Sequence, residues 1–351
     1  MNASFYNRLI VSLVILFMLA CSEGKHASPE NEFKRYQSLV AIDSINLESV
    51  DILNPATIQY KNDFLVFSTL TGKKELQFLD LSTMCTITRY VVGQGAGEMS
   101  AYVVLDGTPE KSFRFADYRK GLIYDLSLEA LRNDTTTRHT LYATLPIEKG
   151  DVPLRYYDSG RFIWGVGLLR EGRFYRYDKQ KQVTAYCGAY PSLPECEGLD
   201  PMHLGALFNR TLIAGDDRHL VAAYSGMLEF YEVTAEEDLR LIKEYRYFFP
   251  RFQSQQQGTP ITFKSDDPFG CLEMTTDRQH VYLLYSADNL KDSGTRAFSS
   301  SDLYVYDWDG NPLQHYRLSH RLSALTVNGD IVYGLSRESI PKVYLFKIPK
   351  G

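Results

Sequence analysis

Short apolar runs alternate with aromatic-rich runs along most of the chain. Runs of the first kind cover 64–67, 113–116, 162–165, 220–223, 281–284 and 331–334, with first residues 49, 49, 58, 61 and 50 positions apart. Aromatic-rich runs follow at 76–81, 122–126, 174–178, 228–233, 303–307 and 343–346. Four to six residues is strand length rather than helix length, and the enrichment in Tyr, Phe, Val and Leu suits a packed sheet. Gly72, Gly121, Gly172 and Gly226 separate the two runs in four copies, as hairpin turns require. Segments 86–92, 140–145, 183–187, 239–247 and 313–318 supply a further strand per copy. Helices are scarce, with single turns at most over 128–132 and 234–238.

A four-stranded unit recurring about every 50 residues fits a propeller blade better than a solenoid repeat. The last copy has three strands, at 322–327, 331–334 and 343–348, so the ring needs a fourth from elsewhere. Residues 45–50 precede the first copy and can complete that sheet, while 52–60 leads into the innermost strand of the first blade. The expected fold is all-β: a six-bladed β-propeller of four-stranded antiparallel blades, closed by an N-terminal strand in the last blade. Asp80, Asp125, Asp178 and Asp307 recur near the ends of the aromatic strands, with Glu232 in a fifth. A carboxylate there can accept turn amides, a structural role that explains its recurrence.

The N-terminus has a different pattern. Arg8 is the only charge in the first twenty residues, and 9–20 is apolar-rich, the length of a secretory core rather than a membrane span. Met18-Leu19-Ala20-Cys21 resembles the lipobox of bacterial lipoproteins, which makes Cys21 the lipidation site. Residues 1–20 then form a signal peptide, 21–40 the lipidated cysteine and a flexible tether, and 41–351 a single propeller domain. The expected location is the cell envelope, at the outer membrane, with the periplasmic or surface face left open.

The lipobox-like start, the six hairpins and Gly93-Gln94-Gly95-Ala96-Gly97-Glu98 together resemble the TolB-like six-bladed propeller lipoproteins of Bacteroidetes. The glycine-rich stretch is similar to that family's turn between blades one and two. Phe115-Ala116-Asp117 followed by 121–125 resembles the second-blade hairpin of NHL-type propellers. The resemblance implies the fold over roughly 40–350 and no particular activity.

Charge and chemistry narrow the classes further. The formal charge of −5 becomes −6 once Arg8 leaves with the leader, which gives no reason to expect nucleic acid. The Gly93–Gly97 spacing is wrong for a dinucleotide fingerprint, and no Gly-Lys-Ser/Thr follows for a P-loop. Of the seven histidines, His139, His203, His219, His280, His315 and His320 are dispersed through the expected propeller, and no His-Glu-x-x-His or Gly-x-Ser-x-Gly occurs. No cofactor is expected; a metal, if the protein holds one, belongs in the central channel. Cys187 and Cys196 flank a segment containing Pro191 and Pro194, and a local disulfide there would staple the loop.

Three connections exceed the usual length: 187–202, 248–269 and 287–301. The second carries Phe248, Phe249, Phe252, Gln255 to Gln257, Lys264, Asp266 and Asp267, aromatics with polar groups that suit a peptide or carbohydrate surface, while simple packing over the hub explains them equally well. These residues form the expected interaction loop. The leading expectation is a monomeric, membrane-anchored binding or scaffold protein whose partner is a protein, peptide or glycan. The alternative is a propeller hydrolase or lyase acting on a sugar, lactone or ester with metal assistance.

Overall fold

A computed structural model describes residues 28–69, 75–89, 102–107, 111–148, 150–235, 238–254 and 261–349. Cys21, the glycine-rich stretch at 93–98 and Gln255 to Gln257 lie outside the described residues.

Each apolar run forms the second strand of a blade, each aromatic run the third. Blade one is β3 (Pro55–Lys61), β4 (Phe64–Thr69), β5 (Leu76–Asp80) and β6 (Cys85–Arg89). Blade two is β7 (Val103–Asp106), β8 (Ser112–Asp117), β9 (Leu122–Ser127) and β10 (Thr140–Thr144). Blade three is β11 (Val152–Asp158), β12 (Phe162–Leu168), β13 (Phe174–Asp178) and β14 (Val183–Cys187), and blade four is β15 (Leu212–Gly215), β16 (His219–Tyr224), β17 (Met227–Val233) and β18 (Leu239–Arg246). A small hairpin follows, β19 (Phe252–Ser254) with β20 (Ile261–Phe263). Blade five comprises β21 (Pro268–Thr276), β22 (Val281–Asn289), β23 (Ser300–Tyr306) and β24 (Pro312–Leu322). Blade six has β25 (Ala324–Asn328), β26 (Ile331–Ser336) and β27 (Lys342–Lys347).

The start of the chain completes two blades. β1 (Tyr36–Leu39) adds in parallel to the outside of β24, and β2 (Ala41–Asn46) pairs antiparallel with β27. Closure therefore uses residues four positions earlier than the 45–50 expected. The reason is local: Leu47 and Ile52 are fully buried between blades six and one, and a 3-10 turn over Glu48–Val50 brings both inward. Packing onto the ring begins before residue 40, where the tether was expected to end, because Phe33 packs on Tyr304 and Tyr306 of blade five.

The gaps between blades hold the cores. Phe78, Phe113 and Phe115 fill the gap between blades one and two, with Phe78 and Phe113 edge to face at 5.1 Å. Leu105, Ile163 and Tyr175 fill the next gap, and Leu303, Val332 and Phe346 join blade five to blade six. Each such side chain contributes about 1.5–3 kcal/mol on burial, so stability is spread around the ring. Gly270 fixes the seam between blades four and five. Its φ is +83°, Cys271 N donates to Ser225 O at 2.8 Å, and a Cβ there would lie 2.1 Å from that oxygen.

The recurrent carboxylates play the expected role in three copies. Asp80 accepts Ser82 N, Asp178 accepts Gln180 N and Lys181 N, and Asp307 accepts Asn311 N. Asp125 instead takes Arg114 at 2.8 Å, and Glu232 pairs with Arg240.

Among the described residues, three short α-helices interrupt the strands. α1 (Leu128–Asn133) extends the single turn expected at 128–132 and is capped by Ser127, whose Oγ accepts Ala130 N. α2 (Pro201–Phe208) starts on Asp200, which accepts His203 N at 2.9 Å. α3 is a single turn over Leu290–Ser293.

Candidate functional site: the axial channel and the connector face

Strands within a blade alternate in direction, so connections sort by face. First-to-second and third-to-fourth turns lie on one side of the ring, the hairpin face. Second-to-third turns and blade-to-blade connections lie on the other, the connector face. All three long excursions fall on the connector face: β14 to β15, which carries α2; β18 to β21, which carries the β19–β20 hairpin; and β22 to β23, which carries α3.

The expected interaction loop is used differently from what its composition suggests. Phe248 is buried in the core of blades four and five. Phe249 and Phe252 pack beside Phe208 of α2, with Phe249 6.1 Å from Phe208 and 6.2 Å from Phe252 between ring centroids. Phe248 thus belongs to the core, and Phe249 and Phe252 rest on it half-buried. Asp267 is buried and accepts Arg251 N and Nε at 2.5 and 2.7 Å, while Asp266 meets the same guanidinium at 2.8 Å. Lys264 is exposed.

The expected disulfide is also corrected: Cys187 and Cys196 are separate free thiols. Cys187 packs in the large core shared by blades three to five, and Cys196 sits under α2 in another cluster. Burial pushes their thiols up to about 12 and about 11. His219 and His280 occupy equivalent turns, each held by the carboxylate three residues earlier, Asp216 and Asp277.

The innermost strands β3, β7, β11, β15, β21 and β25 surround the axis, each beside the next. Gln59 Nε2 donates to Asp106 Oδ1 and bridges β3 to β7. Inside lies a cavity of about 220 Å³ lined by Gln59, Asp106, Arg155, Glu273 and Thr326. Gln59, Asp106 and Thr326 also line a wider mouth of about 500 Å³ on the hairpin face, with Lys61, Asp277 and Trp308.

Two acids from blades two and five thus share the channel with a base from blade three. Arg155 Nη1 lies 3.6 Å from Glu273 Oε1, which also accepts Met274 N. Burial pushes Glu273 up to about 7, against the pull of Arg155, and nearby Asp106 adds to the rise. Burial raises Asp106 too, offset by Arg155 and Lys61. Glu273 can therefore give or take a proton near neutrality. Gln59 Oε1 is buried without a partner among the described residues. Among the described residues, no three His, Cys, Asp or Glu side chains gather to hold a metal.

Sequence reasoning missed this group. The signal is a charged residue inside an innermost strand, as at Arg155 and Glu273, but those strands line a polar tunnel on one side, so apolar periodicity does not mark them.

A family model for the TolB-like 6-blade propeller-like group matches residues 33–330. No curated protein sequence matches the chain. Among solved structures, the β-propeller domain of Myceliophteria thermophila Cps50 (Swd1) aligns at 9% identity and TM-score 0.43, over 89% of this chain and 100% of that one. Chaetomium thermophilum Raptor aligns at 10% identity and TM-score 0.48, over 93% and 30%. U3-55K aligns at 9% identity and TM-score 0.45, over 84% and 96%.

Proposed function

Because the chain belongs to the TolB-like 6-blade propeller-like family, we propose that it is a binding and scaffold protein of the cell envelope. In this reading a lipid on Cys21 anchors it to the outer membrane, and the connector face meets a protein, peptide or glycan. One observation carries the proposal. The long excursions gather on a single face, whereas the hairpin face is built of short turns apart from the connection holding α1. A rigid disc with elaborated loops on one side is the usual layout of a binding surface.

Two experiments test it. Cys21→Ala should abolish fatty-acid labelling and release the protein from membranes. A photo-crosslinking residue at Lys264, on the connector face, should capture an envelope partner that the same residue at Asp309, on the hairpin face, does not. Equal adducts at both positions would sink the proposal.

Glu273 favours a second reading, a propeller hydrolase or lyase acting on a sugar, lactone or ester. A carboxylate poised at about 7 beside Arg155 is suited to general acid–base work. Turnover of such a substrate that Glu273→Gln abolishes would support it, and turnover that survives this change would remove it.

A further inference from the structure

A groove of about 930 Å³ opens on the connector face between blade five, blade six and the start of blade one. It is near the upper end of the about 300–1,000 Å³ typical of small-molecule sites. Three arginines line it, Arg296, Arg321 and Arg337. Arg321 is engaged through one edge of its guanidinium: its Nη2 donates to Asp288 Oδ2 at 2.6 Å and to Arg296 O at 3.1 Å, and its Nε to Ser299 Oγ at 3.2 Å. Those bonds fix the β22–β23 excursion as one wall.

The other two arginines have capacity to spare. Arg337 donates from Nε to Ser323 Oγ at 3.0 Å, and among the described residues no carboxylate pairs with it. Desolvation lowers its pKa, with no neighbouring acid to offset the effect. The nearest carboxylate to Arg296 is Asp288 at 3.9 Å, and the Arg296 side chain is 68% exposed. Glu48 and Glu338 also line the groove but form no ion pair with any of the three arginines. A guanidinium with most of its five donors unused is shaped to take a planar carboxylate.

The rest of the lining is hydroxyl and apolar. Thr295 and Ser339 carry hydroxyls with no hydrogen bond among the described residues, and half-buried Phe298 offers an apolar wall. The lining comes from loops and from strand ends already paired in their blades, so a peptide backbone finds no open edge to extend.

We propose that this groove binds an acidic saccharide, with its carboxylate held by Arg337 and Arg296 and its hydroxyls met by Thr295 and Ser339. The proposal deepens the binding reading above and rests on it.

The test is calorimetric titration of the full-length chain with trigalacturonate and, separately, with its methyl ester. The acid should bind and the ester should not, and added salt should weaken binding. Arg337→Ala should reduce affinity by about tenfold or more, and Arg337→Lys, which keeps charge but loses the fork, by less. Arg296→Ala, at an exposed position, gives a second variant whose folding is not at risk and should also weaken binding. Equal affinity for the ester, or affinity unchanged in both alanine variants, would overturn the assignment. So would binding of a glutamate-rich peptide in place of the saccharide, although that result would leave the broader binding reading standing. If neither probe binds, the saccharide assignment fails while the crosslinking comparison still decides the broader one.

Discussion

Arg155 and Glu273 face each other across the axial channel, Nη1 to Oε1 at 3.6 Å, and tie blade three to blade five. Burial raises Glu273 from its ordinary 4.5 to about 7, so the native state holds this proton more tightly than the unfolded chain. Below 4.5 the group is protonated in both states and costs nothing. As pH rises towards 7 the native state loses stability, and above 7 the full cost is present, about 3 kcal/mol. Glu273→Gln should therefore raise the thermal midpoint at pH 8 and leave it almost unchanged near pH 4. The same gain at both pH values would show that ionisation is not the cause.

Arg173 and Glu229 form a second cross-blade pair, fully buried at 2.5 Å between blades three and four. Glu229→Ala leaves a guanidinium in the core without its counter-charge and should cost about 3–5 kcal/mol in urea unfolding. Replacing both residues with apolar ones of similar volume should cost much less. Similar losses in the two variants would mean that the pair contributes through packing alone.

The thiols provide a direct check on the corrected disulfide. Cys85 is exposed, whereas Cys187, Cys196 and Cys271 are buried and their thiols are pushed upward. In non-reducing conditions, Cys85 should react with a maleimide in the native protein and the other three only after unfolding. Mass spectrometry that finds 187 and 196 linked would contradict the structure.

Much of the ring was legible in the chain because a second strand buried on both faces leaves an unbroken apolar run. Phe64 to Phe67 and Val281 to Leu284 announce β4 and β22 for that reason. α2 was not legible: Pro201 and Gly205 read as loop, and the helix is held by its packing on β12 more than by its own propensity. The 248–269 loop stayed ambiguous because Phe249 and Phe252 look the same in sequence whether they face solvent or pack on a core. The channel residues were hidden for a different reason. Glu273 and Asp106 come from strands far apart in the chain, and only the closed ring brings them together.

Closure itself predicts how truncation behaves. Removing residues up to 35 should leave β1 and β2 in place and lower the midpoint slightly. Removing residues up to 46 takes the outer strand from blade six and exposes the edge of β27. That shorter chain should unfold at a markedly lower temperature and aggregate at its midpoint, as light scattering would reveal. Equal midpoints for the two truncations would mean that β2 is dispensable.

The pairing of Ile45 with Val343 joins positions roughly 300 residues apart. During synthesis β2 emerges before any blade is complete, and its partner β27 follows only after the other five blades. β2 must wait, its amides and carbonyls bonded to water rather than to a neighbouring strand, for the intervening blades to follow. The ring therefore locks only once blade six is present, and until then each finished blade stands as a separate sheet with an unpaired neighbour.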